Sequence, residues 1–565
     1  MSRFNLINES WIKVIYCEEE TSKLVSLETL FKDVHRIRFF TGDTRAQDFA
    51  VFRVILAILN TVYSRFDADG NAYEYFEIDG NWKPVSVLDE DDYENYIESL
   101  DKTWKKLWDK GKFTEIVIDY LYKWYERFYL FDEEFPFFQV TSKDLTEDKI
   151  SKKTPSIIMG KSFNRRLSES NNKISLFSPK YDGSKSSEKD NKEKLTEDEV
   201  ARWLLAYHSY TGLADKVIFG KDKYKASKGW LFDLGAVFII GDNMFESLMM
   251  NLILTHTEEP YAFNTQRPCW EYSSAELIDL YLKNNLPDNL AQLYTTWSRA
   301  IYIDPAINLK EAFSCQIVKL PEVEHKNMFL EPMTIWQFNK NGENKNFYTP
   351  RKHRFNQSMW RSFGLFAMPS EESKRQPGIM EWFDKKTEVI GDKEIALVAI
   401  SMMDDGNATS WLPVDEIYDF LKINDYVIAD ISENNWVPRI ESAVEITKAI
   451  IEKTYRIFLS DIAEIRNIKD KTKEGFINRE IETVYFNVDI PFRNWLRNLK
   501  LTDSKDKKVI EWREILHSIV KNRADNLLKN ATMRDLRGID KGDSVLNIAV
   551  VYNNFIRFLN KELKS

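Results

Sequence analysis

Cysteine is scarce. Cys17, Cys269 and Cys315 are the only three in 565 residues. They are too few and too scattered for a disulfide framework or a four-thiolate zinc site, and such usage points to a reducing compartment. Histidine is scarce as well. His35, His208, His256, His325, His353 and His517 never pair at i,i+2 or i,i+4, so helix-borne metal sites of the H-E-x-x-H kind are absent. There is no G-x-x-x-x-G-K-[ST] loop, no convincing G-x-G-x-x-G opening a helix and no G-x-S-x-G elbow, which removes the common nucleotide-binding and serine-hydrolase signatures. A Cys–His dyad assembled by the fold stays open. No apolar run approaches the roughly 20 residues of a membrane span. The start, MSRFNLINESWIKV, holds none of signal-peptide length. The expectation is a cytoplasmic chain with no membrane partner, in which a glycan on the Asn407-Ala408-Thr409 acceptor pattern has no place.

Aromatic residues, by contrast, are plentiful: 36 Phe, 25 Tyr and 16 Trp make up 14% of the chain. In that number they build cores and also offer faces on which bases stack. The length exceeds what one hydrophobic core serves, so two or three domains are expected. The net charge of −10 argues against a generic nucleic-acid coat, but its distribution is uneven. Residues 441–565 carry 24 Lys and Arg against 19 Asp and Glu. Local basic grooves still hold nucleic acid in an acidic chain, because attraction to phosphate is short-ranged in salt.

The first forty residues alternate in short runs such as Trp11-Ile12-Lys13-Val14 and read as strands. TGDT then opens a helix, with Asp43 or Thr44 as cap and Phe49, Phe52, Leu56, Leu59 and Tyr63 along one face. Further helices are expected from about Asp91 to Trp108, Phe113 to Phe131 and Asn243 to Leu254, with a strand from Ala236 to Ile240. Asn164 to Lys194 is rich in Ser, Asn and Lys and reads as a mobile loop, with Leu176-Phe177 as its apolar exception. Thr196 and Glu199 form a capping box for a helix to about Tyr210. In the last third, Val444, Ile451, Tyr455, Phe458 and Ile462 mark one buried stripe. Similar stripes run from about Asp489 to Leu499, Val509 to Leu528 and Val545 to Leu563, which suggests a helical bundle. No period of 20 to 50 residues repeats.

Two segments combine positive charge with aromatic rings. TGLADKVIFGKDKYKASKGW holds Lys216, Lys221, Lys223, Lys225 and Lys228 among Phe219, Tyr224 and Trp230, punctuated by Gly212, Gly220 and Gly229. Glycines admit close backbone approach, lysines attract phosphate and rings stack. A solvated basic loop has the same composition, and both readings stand. YTPRKHRFNQSMWR, Tyr348 to Arg361, is the second patch. A third segment, SMMDDGNATSW (Ser401–Trp411), pairs Asp404 with Asp405 in a turn-forming context. A metal-dependent nuclease or hydrolase would centre on these two acids, although neighbouring residues of a strand point opposite ways.

FNLINESWIKV, LVSLETLF, the helix after TGDTRAQDFAV, FYLFDEEFPFFQV, LLAYHSYTG and TWSRAIYI follow one another in an order that resembles the CasA family, the large subunit of the type I-E CRISPR surveillance complex Cascade. The resemblance covers essentially the whole chain. It implies an α+β fold: a large irregular mixed N-terminal domain over 1–412, with a mobile loop at about 164–195, followed by a C-terminal four-helix bundle over 413–565. It implies a non-catalytic subunit that recognises the protospacer-adjacent motif of double-stranded target DNA from the minor groove, promotes duplex opening and R-loop formation, and helps recruit a separate helicase-nuclease. Further partners implied are the 5′ handle of the guide RNA and the backbone, handle-binding and small subunits. The matching wedge is Asn407-Ala408-Thr409, shaped by Asp405 and Gly406, with Asp404 and Asp405 turned away from DNA. The family's glycine loop falls between Gly212 and Gly220, its minor-groove lysine at Lys319 and its RNA-contacting aromatic at Phe177; Lys216 and Lys221 supply charge beside the loop. Relatives with a cysteine cluster suggest zinc; this chain lacks the cluster, and neither metal nor cofactor is expected. A pure scaffold subunit is the remaining alternative.

Overall fold

The computed structural model describes residues 3–164, 193–213, 215–285, 287–371, 375–407, 411–432, 434–542 and 544–564. The chain divides into two compact units. One comprises 1–355, 371–390 and 397–419; the other comprises 356–370, 391–396 and 420–565. The expected loop at about 164–195, with Phe177, lies largely outside the described residues, and so do Ala408 and Thr409.

The strands of the sheets that frame the first unit are, in chain order, β1 (Ile12–Tyr16), β2 (Ser22–Val25), β3 (Ile37–Phe40), β4 (Ser156–Met159), β5 (Ala236–Ile240), β6 (Arg299–Tyr302), β7 (Ser314–Lys319), β8 (Trp336–Phe338), β9 (Tyr348–Pro350), β10 (Glu394–Asp404) and β11 (Pro413–Asn424). They form small sheets of order β2-β1-β3, β11-β10-β5, β4-β7-β6 and β8-β9. In the third of these, Arg299 lies opposite Lys319. The mixture is the α+β class read from the sequence.

The helix Arg45–Tyr63 runs through the middle of this unit. Thr44 is its N-cap, its hydroxyl accepting from the Gln47 amide at 3.1 Å, and every residue from Ala46 to Tyr63 is buried. Here the expectation about apolar runs is corrected. By length and composition this one helix would cross a membrane, but all of its apolar window is buried within the protein. A helix that is apolar on all sides must be enclosed by something, and the helices Glu197–Tyr210 and Leu290–Tyr294 pack against it. The single helix expected from Phe113 to Phe131 is also corrected. The helix covers Ile116–Lys123, and beyond it the backbone is taken by the N-terminal segment: Leu6 N–H donates to Phe128 O and Leu130 N–H to Phe4 O, both at 2.9 Å. Tertiary pairing overrides helix propensity there.

In the second unit the apolar stripe holds. Val444, Ile451, Tyr455, Phe458 and Ile462 are at most 1% exposed. They lie on a helix, Trp436–Ala449, that widens into a π turn at Ile450–Tyr455 and continues as Arg456–Ile465. Long helices at Asp470–Arg497, Lys505–Lys529 and Ile548–Lys564 pack with it. The second stripe therefore starts well before Asp489. The fourth starts later than Val545, because Val545–Leu546 pairs with Ile539–Asp540 as a short ladder. Trp360, Phe492 and Trp512 form an aromatic cluster in this unit, with centroids 4.4 and 4.8 Å apart.

Candidate nucleic-acid interface

The segment from Gly212 to Gly229 wraps around the C-terminal end of β7, past the reach of β4. Lys319 N–H donates to Val217 O at 2.8 Å and Ser227 N–H to Leu320 O at 3.0 Å. Tyr224 hydroxyl donates to Lys319 O at 2.6 Å and accepts from Phe219 N–H at 2.9 Å. The two ends of the loop are fastened by one buried side chain. Arg299, 0% exposed, donates to the carbonyls of Gly212 and Ser227 and to Asp215 Oδ1, the last at 3.0 Å. Lys319 adds a second clamp, its ammonium donating to Leu213 O at 2.9 Å. Burial pushes the Lys319 pKa down, against the upward pull of Asp215. Gly220 has φ +65° with open space around it, a backbone state that favours glycine. Gly229 is required for a different reason: a Cβ there would meet the Ser209 and Tyr210 backbone at 2.3–2.4 Å, so its smallness serves packing and not ligand approach. Lys216, Gly220 and Lys221 are exposed on the outer part of the loop.

The Ser401–Trp411 segment joins β10 to β11. Gly406 has φ +68°, and the Asp405 carboxylate accepts from the amides of Asn407 and Leu412, each at 3.1 Å. Trp411 N–H donates to Asn407 O at 2.8 Å. Asp405 and Gly406 thus shape the turn, and Asn407 is exposed on it. Asp404, expected to turn away from DNA, lines a cleft and pairs with Lys352 at 2.9 Å. Each carboxylate is already committed, Asp404 to Lys352 and the Gly406 amide, Asp405 to the amides of its own turn; a metal-dependent nuclease instead aims such a pair at a shared ion. Among the described residues no group of three or more His, Cys, Asp or Glu is arranged to hold a metal ion.

That cleft, about 530 Å³ in volume, gathers the segments singled out in the sequence. Leu213, Lys225 and Lys228 come from the first loop, Glu322, Glu324 and Lys326 from beyond β7, Lys352 from the second basic patch, and Asp404 and Trp411 from the turn. Lysines and acids balance, four of each among its lining residues: Lys225, Lys228, Lys326 and Lys352 against Asp233, Glu322, Glu324 and Asp404. Lys228 pairs with Asp233 and lies 5.1 Å from the Trp411 ring. Lys352 lies 4.2 Å over the Phe232 ring. Burial raises the Asp233 carboxyl, but Lys228 and its other cationic neighbours hold it below the usual range. Lys319, Lys216, Gly220 and Lys221 are not among the lining residues; Lys319 supports the wall from behind through Leu213. The sequence reading gave no role to Arg299, Phe232, Lys352 or Trp411. A signal existed for Lys352, inside the second basic patch; none existed for Arg299, a lone arginine in an apolar strand.

The β10–β11 hairpin is tied down close to its turn. The Glu416 carboxylate accepts from the amides of Arg45 and Ala46 at 3.0 and 2.7 Å, satisfying the open N-terminus of the central helix. Asp48 lies beside it, fully enclosed, accepting from Gly42 N–H at 2.7 Å and from Arg45 at 3.2 Å. Burial pushes its carboxyl up to about 7; Arg45 opposes this and Glu416 adds to it. A folded-state pKa above the unfolded 3.8 means that the proton stabilises the fold fully below about pH 4. That stabilisation is lost as pH rises through about 7. The expected outcome is that the parent-minus-variant difference in stability for Asp48→Asn changes by roughly 3–4 kcal/mol between pH 4 and 8. Thermal denaturation at a series of pH values checks it; parallel curves refute it.

Comparison with known proteins agrees with this architecture. The sequence model of the family described as CRISPR-associated protein Cse1 matches residues 5–522. The CRISPR-associated protein CasA/Cse1 of Thermus thermophilus is 27% identical over 290 residues, which is 50% of this chain and 44% of that relative, so the match spans less than half of the curated protein's length. Among solved structures, Thermobifida fusca Cse1 superimposes with a TM-score of 0.75 at 21% identity, covering 99% of this chain and 98% of that one. Cse1 of Acidimicrobium ferrooxidans gives 0.71 at 19%, with 99% and 98% covered. A chain of a structure titled CRISPR RNA-guided surveillance complex gives 0.66 at 14%, with 99% of each covered. At these identities the superpositions speak for the fold, and the family match over most of the sequence speaks for kinship. The chain belongs to the CRISPR-associated protein Cse1 family.

Proposed function

We propose that the chain is the DNA-sensing large subunit of an RNA-guided surveillance complex acting in the cytoplasm. In this reading the cleft between the 212–229 loop and the 404–411 turn takes the protospacer-adjacent motif of duplex DNA, and strand separation starts beside Asn407. The convergence of those two segments and the Glu322–Lys326 stretch that follows β7 on one cleft carries the reading. A few compact loops suit the minor groove, which is narrow and offers a degenerate code, while base pairing with the guide reads the long sequence. The subunit binds and does no chemistry of its own; a separate helicase-nuclease cuts. Target DNA, the guide's 5′ handle and the other complex subunits are its partners.

The balanced charge of the cleft bears on affinity. With few uncompensated lysines, counterion release contributes little, so the chain alone binds duplex DNA weakly and discriminates only in the assembled complex. The test is reconstitution with guide RNA and partner subunits, followed by selection from DNA randomised beside the target. Asn407→Ala is expected to weaken binding to the selected sequences about tenfold, the worth of one lost groove contact, with an unchanged melting temperature. Equal recovery of every flanking sequence by the parent complex would refute the assignment.

A further inference from the structure

Trp411 is built in a way that core packing does not explain. Its φ is +46°, a left-handed state that is uncommon for a bulky residue and is held only when the surroundings demand it. Large tryptophans such as Trp11, Trp104, Trp360, Trp436 and Trp512 are fully enclosed, whereas the Trp411 ring is partly exposed and lines the cleft. Its amide is committed to Asn407 O at 2.8 Å, so the strained backbone and the turn tip are one unit. The ring is steered by Lys228, whose ammonium sits 5.1 Å from its centroid and is anchored by Asp233. Lys352 lines the same cleft, 4.2 Å over Phe232. A partly exposed indole face steadied by a neighbouring ammonium has the make-up of a base-stacking subsite.

We propose that Trp411 is the stacking platform for one nucleobase released where the duplex opens, holding the separated strand beside the motif-reading cleft. This rests on the reading of the cleft given above and adds to it the ligand, an unpaired base, and the residue that takes it. The backbone strain serves to aim the ring, and Lys228 keeps it upright before any base arrives. The platform favours the opened state over the closed duplex, since only an unpaired base presents a free face.

A double-mutant cycle in the assembled complex tests this. Binding of motif-bearing duplexes is measured for the parent, Trp411→Ala and Trp411→Phe, with single abasic sites placed in turn at the first target positions on each strand. Trp411→Ala is expected to weaken binding to intact DNA about tenfold and Trp411→Phe less than threefold. At one position an abasic site costs the parent about tenfold and costs Trp411→Ala nothing, because the ring and the base contribute only together. Trp411→Leu, which keeps apolar bulk without a π face, replaces Trp411→Ala in the cycle if the latter fails to assemble. Losses that add at every position, or a variant that binds as the parent does, overturn the platform while motif discrimination by the parent stands. A parent indifferent to the flanking sequence overturns the cleft reading and the platform with it.

Discussion

Glu331→Ala is expected to lower the stability of the larger unit by about 3–5 kcal/mol, the cost of leaving a buried charge without its partner. Glu331 is 0% exposed and accepts four hydrogen bonds: two from Arg53 at 2.9 and 2.7 Å, one from Trp230 Nε1 at 2.6 Å and one from Met333 N–H at 2.9 Å. Truncation strands the Arg53 guanidinium in the middle of the central helix and frees Trp230, which begins the turn that carries Asp233 to the cleft. Burial raises the Glu331 carboxyl, but Arg53 and the two N–H donors outweigh this and hold it below the usual carboxylate range. A depressed folded pKa contributes stability above the unfolded value of 4.5, and that contribution is lost as pH falls through the folded pKa. The thermal midpoint at neutral pH therefore drops sharply in Glu331→Ala, and the gap from the parent narrows in strong acid. A midpoint within a degree or two of the parent would refute this.

Arg299→Lys is expected to weaken motif-bearing DNA binding on the order of a hundredfold in the reconstituted complex, about 2.7 kcal/mol. Lysine keeps the charge but lacks the planar fork that reaches the carbonyls of Gly212 and Ser227 and the Asp215 carboxylate together. With both ends of the 212–229 loop loosened, the near wall of the cleft loses its position while β6 keeps its pairing with β7. The expected signature is a large loss of binding with a small shift in melting temperature. A variant that discriminates flanking sequences as the parent does would show that the loop finds its shape without the arginine.

Local periodicity revealed much of the fold. Thr44, the 3.6-residue stripe behind it and the capping box of Thr196 and Glu199 announced their helices, because caps and apolar spacing act within a few residues. The Val444–Ile462 stripe announced a buried helical face for the same reason. The failures have a common cause. Residues 128–130 are claimed by a segment more than a hundred residues away, and the enclosure of Arg45–Tyr63 depends on its packed neighbours. Composition flagged the Gly212–Gly229 and Tyr348–Arg361 segments, since lysines and rings gather visibly in sequence. That they share one cleft wall, and that Arg299 and Glu416 hold the two sides, are long-range facts with no local pattern. The same holds for Asp404: its acidity is plain in the sequence, its neutralisation by Lys352 is not.

If the cleft takes duplex DNA as proposed, its even match of lysines and carboxylates has a kinetic consequence. A groove with surplus positive charge lingers on any stretch of duplex, and residence on wrong sites consumes most of a search. A groove neutralised from within lets go quickly unless shape and hydrogen bonding hold it. Rapid departure from almost every address is what allows a single correct one to be found in a genome-sized excess of others.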